Sequence, residues 1–205
     1  MEGKQKGFSL VELVVSMAIL MVVGVAILGF LSYCVGQYNR SSDETVLQME
    51  SQMTQSKIQD IILQTEVGVA VKQNGSDTAT LSLFSRDENN NPIKWVLRHE
   101  DDTLVYEEYQ LNTTWDGVGA EEDAWEIIDK EVYASYVKNW RVELYDENGT
   151  EITDTTHPDG PKVTKVEITW DMRANDRTYN TSQIIALRNT VVASDKESRY
   201  ILTGN

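Results

Sequence analysis

Two hydrophobic regimes divide the chain. From Leu13 to Val35 no residue carries a charge, and Val, Leu, Ile, Met and Gly dominate. At about 1.5 Å per residue in a helix that run reaches roughly 35 Å, enough for a hydrocarbon core of about 30 Å. Beyond Val35 the chain becomes polar, but apolar residues still recur at helical intervals. Val46, Met49 and Met53, then Ile58, Ile61 and Ile62, fall three and four positions apart. No proline occurs before Pro92. The pattern predicts one helix from about Phe8 to Glu66, roughly 90 Å long. Its first half is apolar on all sides, and its second half is amphipathic, with that stripe turned toward a core.

From about Val67 the period changes to two. Ala79–Phe84 alternates, Arg86–Pro92 is a polar turn cluster, and Ile93, Trp95 and Leu97 alternate with Lys94 and Arg98. Thr103–Tyr109 then returns as a hairpin after His99–Asp102. Asn112–Asp123 and Thr153–Pro161 read as loops. Trp140, Val142 and Leu144 form one face of a strand that ends at the turn signal Asp146–Gly149. Val166, Ile168 and Trp170 alternate again, and Tyr179–Leu187 is the last expected strand before Arg188 and Asn189. A long helix followed by strands predicts an α+β fold, the outer half of the helix packed on an antiparallel sheet. The expected divisions are 8–35, 36–66 and a β-rich domain over 67–205.

Charge and rare residues narrow the chemistry. Of the 205 residues, 33 are acidic and 18 basic, a formal net charge of -15, which repels phosphates; no direct nucleic acid binding is expected. Cys34 is the single cysteine, so no intrachain disulfide forms, and near the outer membrane face it is expected to be a packing residue. With two histidines and no Cys/His cluster, no metal or cofactor is expected. His99 and His157 have no nucleophile to serve and are expected at the surface. Neither Asp87–Asn91 nor Asp146–Gly149 has the spacing of a twelve-residue calcium loop, so both are expected to be solvated turns. Gly-rich phosphate loops, His-Glu-x-x-His and Gly-x-Ser-x-Gly are missing from the sequence, and an enzyme is not expected. The five tryptophans, Trp95, Trp115, Trp125, Trp140 and Trp170, are expected to be core and sheet-packing residues rather than a ligand platform, with Trp115, inside a polar loop, the one whose exposure matters. Asp171 and Asp176 beside Arg173 and Arg177 weaken any anion site there.

Lys4 and Lys6 precede the apolar run, and Arg40, Asp43 and Glu44 follow it. The excess of lysine puts the amino terminus in the cytoplasm and residues after about 36 outside. A secretory signal peptide also has a basic start. Its apolar region is usually about 7–15 residues, however, and no small-x-small site ends this longer one. Gly24 and Gly29 within the span permit close helix approach or local loosening. One carboxylate, Glu12, sits near the start of the run, where it costs up to a few kcal/mol.

Lys6-Gly7-Phe8-Ser9-Leu10-Val11-Glu12-Leu13, with the apolar residues after it, resembles the class III signal of type IV pilins and pseudopilins. The resemblance implies that a prepilin peptidase removes the leader 1–7 at Gly7–Phe8, and that Phe8 is then N-methylated. It also implies that Glu12 meets the amine of a neighbouring subunit in a helix bundle, which offsets the burial of both charges and sets axial register. The helix-breaking proline of many major pilins has no counterpart here. The segments Val137–Leu144, Pro161–Ile168 and Leu187–Asn189 are similar to a subgroup of larger minor subunits, pseudopilin J and pilin W. No cofactor is implied.

The expectation is thus a non-enzymatic, minor pilin-like structural subunit of a type IV pilus, a type II secretion pseudopilus or a DNA-uptake filament. It would act at the initiation or tip of assembly. Its partners would be other pilin-like subunits, the prepilin peptidase/methyltransferase and, before assembly, membrane lipid. It would sit as a single-pass protein in the cytoplasmic membrane with its carboxy-terminal domain outside, then move into a surface filament or pseudopilus. The alternatives are a major pilin and a membrane-tethered adhesive or ligand-binding module, the latter favoured by an exposed aromatic or basic pocket.

Overall fold

The computed structural model describes residues 9–73, 75, 78–112, 124–155, 160–194 and 200. The leader residues, Phe8, Trp115 and His157 lie outside the described residues, as do the expected loop over 113–123 and positions 156–159 of the second loop. Among the described residues one long helix, α1 (Leu10–Leu63), is followed by eight strands. These are β1 (Gly68–Gln73), β2 (Ala79–Arg86), β3 (Pro92–Glu100), β4 (Thr103–Leu111), β5 (Trp125–Ala134), β6 (Val137–Tyr145), β7 (Lys162–Ala174) and β8 (Arg177–Ala193). This is the α+β, pilin-like arrangement expected, with α1 ending three residues earlier than Glu66. The chain forms two compact units, residues 1–43 and 44–205.

In the second unit the strands make one sheet in the order β5-β4-β3-β2-β1-β8-β7-β6. Every pairing is antiparallel except β1 with β8, which run parallel, a departure from the purely antiparallel sheet expected. β6 and β7 alternate as the sequence does: Trp140, Val142, Leu144, Val166, Ile168, Trp170 and Met172 are buried, and the residues between them face outward. Trp140 and Trp170 pair across the strands, ring centroids 6.0 Å apart at 43°. β2, β3 and β4 are buried on both faces: Leu81, Leu83, Trp95 and Leu97 join the core under the helix, and Phe84 joins a second cluster with Ala124, Trp125 and Tyr200. The four described tryptophans are all core residues.

β5 is the strand that periodicity did not reveal. As an edge strand it is exposed on both faces from Glu126 to Val132, so nothing selects an alternating pattern. β8 continues past the expected end at Leu187, because 187–190 swing out of register: Lys165 pairs with Ala186, but Val163 pairs with Val191.

The two acidic turns share one design. The Asp87 N–H donates to Asn91 O at 2.9 Å and the Asn90 N–H to Asp87 O at 2.9 Å. Oδ1 of Asp87 accepts the Asn89 and Asn91 N–H groups at 2.8 and 2.7 Å. Asp146 repeats this with Asn148 and Thr150, both at 2.8 Å. The position that must adopt positive φ is Asn90 (66°) in one turn and Gly149 (78°) in the other, residues that tolerate it. Hydrogen bonds from Asn91 hold the Asp87 carboxyl below the usual carboxylate range, and those from Thr150 do the same for Asp146. These carboxylates therefore serve the turns. His99 is half-buried rather than on the open surface, and its Nε2 donates to the Val137 carbonyl at 2.8 Å, tying β3 to β6.

Candidate assembly site

The first described turn of α1 is closed by its own side chains. The Ser9 N–H donates to Glu12 Oε2 at 3.0 Å, and the Glu12 N–H donates to Ser9 Oγ at 3.2 Å. Each residue satisfies a backbone donor that the helix start leaves without a partner, the reciprocal arrangement of a capping box. Leu13 N–H begins the backbone ladder at Ser9 O, 3.2 Å. A carboxylate at this position also lies at the positive end of the helix dipole. Glu12 is exposed, so its carboxylate stays open to a further partner while it caps the turn. The awkward charge in the apolar run thus has a local role that periodicity did not suggest, although Ser-x-x-Glu is its sequence signature. Gly7 and Phe8, the other two residues of the expected site, lie outside the described residues.

Among the described residues, α1 is the one helix long and apolar enough to cross a membrane. From Leu10 to Val35 nearly all of its large apolar side chains are exposed, including Leu20, Val25 and Phe30. Cys34 is exposed as well, so the packing role expected for it has no counterpart within the described chain. A Cβ added at Gly24 or Gly29 would meet nothing within 4 Å. Intrachain crowding therefore does not explain either glycine.

In the second unit Ile58, Ile61 and Ile62 face the sheet as the apolar spacing predicts, but the preceding turns present a different face. The buried positions are Leu47, Ser51, Thr54, Ile58, Ile61 and Ile62. Val46, Met49 and Met53 are 51%, 59% and 63% exposed, so the first half of the predicted core stripe is overturned. At about 100° per residue these three lie roughly 135° around the helix from the buried face. Polar bonds fix the orientation. Thr54 Oγ1 donates to the Tyr133 carbonyl at 2.9 Å, Ser51 Oγ lies 3.1 Å from Thr181 Oγ1, and Glu50 Oε1 accepts the Ser135 N–H at 2.5 Å. Lys57 adds an ion pair to Glu131 at 2.5 Å and lies 4.6 Å from the Tyr133 ring centroid. Burial, then the carboxylates of Glu131, Asp129 and Glu108, push the Tyr133 phenol up to about 12. Ser85 Oγ donates to the Gln64 carbonyl at 2.8 Å, which caps the helix end against β2.

Elsewhere on the second unit the described residues offer little reactive chemistry. A groove of about 460 Å³ is lined by Val71, Gln73, Arg141, Val142, Glu143 and Ile152 among others, with no aromatic ring and with its one arginine beside acidic neighbours. Glu107, nearly buried, accepts from Arg98 at 2.8 Å and Tyr109 at 2.8 Å, with Lys130 Nζ 3.2 Å away. Burial raises its carboxyl, but the Tyr109 and Lys130 hydrogen bonds and the nearby cations outweigh it and hold the group below its ordinary value. The network joins β3, β4 and β5, and it is structural.

Residues 3–28 match the family model described as the prokaryotic N-terminal methylation motif. That span holds the capping box, the start of the apolar helix and the expected cleavage position. No curated protein matches the chain.

Proposed function

We propose that the chain is a minor pilin-like structural subunit, without enzymatic activity, that is processed at Gly7–Phe8, N-methylated on Phe8 and assembled through α1. The methylation motif over residues 3–28 carries the reading. It is supported by a helix that can span a membrane, whose apolar side chains are left uncovered. Before assembly, lipid covers them. In a filament or pseudopilus, the helices of other pilin-like subunits replace lipid, and Gly24 and Gly29 allow close approach. Glu12 then pairs with the Phe8 amine of a neighbour. The charge that caps the helix in one subunit sets register against the next.

The minor, tip-associated assignment within this reading draws on β6, β7 and the end of β8. The three segments that resemble the larger minor subunits fall on those adjacent strands.

Mass spectrometry of the mature amino terminus tests the proposal in cells that carry a prepilin peptidase. A chain beginning at N-methylated Phe8 is expected. A terminus still at Met1 in such cells overturns the processing step and, with it, the assembly reading.

A further inference from the structure

The sheet consists of two antiparallel blocks, β5-β4-β3-β2-β1 and β8-β7-β6, joined side by side at β1–β8. That seam is short. Gly68 pairs with Val192 and Val69 with Ala193, and the Ser194 N–H adds a bond to Val69 O at 3.2 Å. β1 pairs with β2, by contrast, over its whole length from Gly68 to Gln73. Parallel pairing is also slightly weaker per residue than antiparallel pairing. The seam is therefore the weakest ladder in the sheet.

Tyr200 lies across it. The side chain is buried, and its Oη stands 3.1 Å from the Val69 carbonyl of β1 and 3.0 Å from the Val192 carbonyl of β8, with Ser194 O at 3.5 Å. One hydroxyl proton is thus shared among carbonyls from both blocks. The ring stacks on Phe84 of β2, centroids 4.1 Å apart and planes at 22°. It also covers Gly68 so closely that a Cβ there would fall 1.9 Å from Cε1. Glycine at 68 is what admits the ring. A single side chain therefore touches β1, β2 and β8 at the one place where the two blocks are thinly joined.

We propose that Tyr200 is a latch on this seam, and that its release lets the sheet part locally between β1 and β8 while both blocks stay paired. The opposite face keeps the blocks together, because the core under the helix contains Leu81 and Trp95 from one block and Trp140 and Trp170 from the other. That core acts as the hinge, and opening is confined to the Tyr200 face.

Hydrogen exchange on the full chain in detergent micelles tests the latch. Tyr200→Phe keeps the stacked ring and removes the shared hydroxyl. Seam peptides covering 67–70 and 192–194 are expected to exchange about tenfold faster, the effect of one lost hydrogen bond of about 1.4 kcal/mol, with β3–β4 and β6–β7 unchanged. Gly68→Ala displaces the ring instead, and it is expected to accelerate the same peptides more than the Phe variant does. Unchanged seam exchange in Tyr200→Phe, or equal acceleration in every strand, overturns the latch and marks Tyr200 as an ordinary core residue.

Discussion

Glu12 caps the first turn of α1 and, in the proposed assembly, pairs with a neighbour's amine; a pair of substitutions tells these roles apart. Ser9→Ala removes the hydroxyl that accepts the Glu12 N–H at 3.2 Å but leaves the carboxylate in place. Loss of an N-cap side chain costs about 1 kcal/mol, which is less than tenfold in any equilibrium that depends on the first turn. Glu12→Gln does the converse. An amide oxygen can still accept the Ser9 N–H, now bonded at 3.0 Å, but the negative charge is gone. If Glu12 pairs with a neighbour's Phe8 amine in a water-poor helix bundle, removing one partner of that buried pair costs about 3–5 kcal/mol. That corresponds to roughly two to three and a half orders of magnitude in the assembly constant. The assay is the ratio of filament-incorporated to membrane-resident subunit, read by immunoblot after shearing in cells that express the assembly machinery. The mature amino terminus of each variant is verified by mass spectrometry, so that a processing defect is not mistaken for an assembly defect. Near-complete loss of incorporation is expected for Glu12→Gln, and a loss of less than tenfold for Ser9→Ala. Equal losses in the two variants would assign the whole effect to the capping box and refute the charge pairing. Undiminished incorporation of Glu12→Gln would refute it as well.

Replacing Met49 and Met53 by Gln tests the exposed face of the helix. Stability of the β-rich unit is expected to change by less than about 0.5 kcal/mol by denaturant titration, while incorporation falls; a loss of several kcal/mol would mean that these side chains are buried. Glu107 sets an acid sensitivity. Its folded carboxyl lies below the ordinary value of 4.5, so its contribution is complete above about that pH and is lost as pH falls through the folded value. Glu107→Gln is expected to lower stability at neutral pH by about 1–3 kcal/mol and to flatten the dependence of Tm on pH in the acid range. Unchanged acid sensitivity in that variant would refute the assignment to this group.

The sequence by itself determined whatever depends on neighbouring residues. The charge-free run from Leu13 to Val35 specifies a helix that can span a membrane because its length and composition leave no competing structure in lipid. Ser9-x-x-Glu12 specifies the first turn, and the two Asp-Glu-Asn turns specify their own geometry, because donors and acceptors lie within five residues of each other. β6 and β7 were legible because one face is buried and the other wet. β5 was not, since an edge strand exposed on both faces carries no alternation. Tertiary structure decided which side of α1 meets the sheet. Apolar spacing placed Val46, Met49 and Met53 with Ile58, Ile61 and Ile62. The isoleucines are buried as expected, but Leu47, Ser51 and Thr54 take the sheet-facing positions of the earlier turns, held by hydrogen bonds of Glu50, Ser51 and Thr54 to distant residues. A buried polar group finds its partner only in three dimensions, and a periodicity argument counts Ser51 and Thr54 as surface. The parallel seam and the tyrosine across it were likewise invisible in the sequence. Gly68, Phe84, Val192 and Tyr200 come together only when β1 and β8, far apart along the chain, meet in the middle of the sheet.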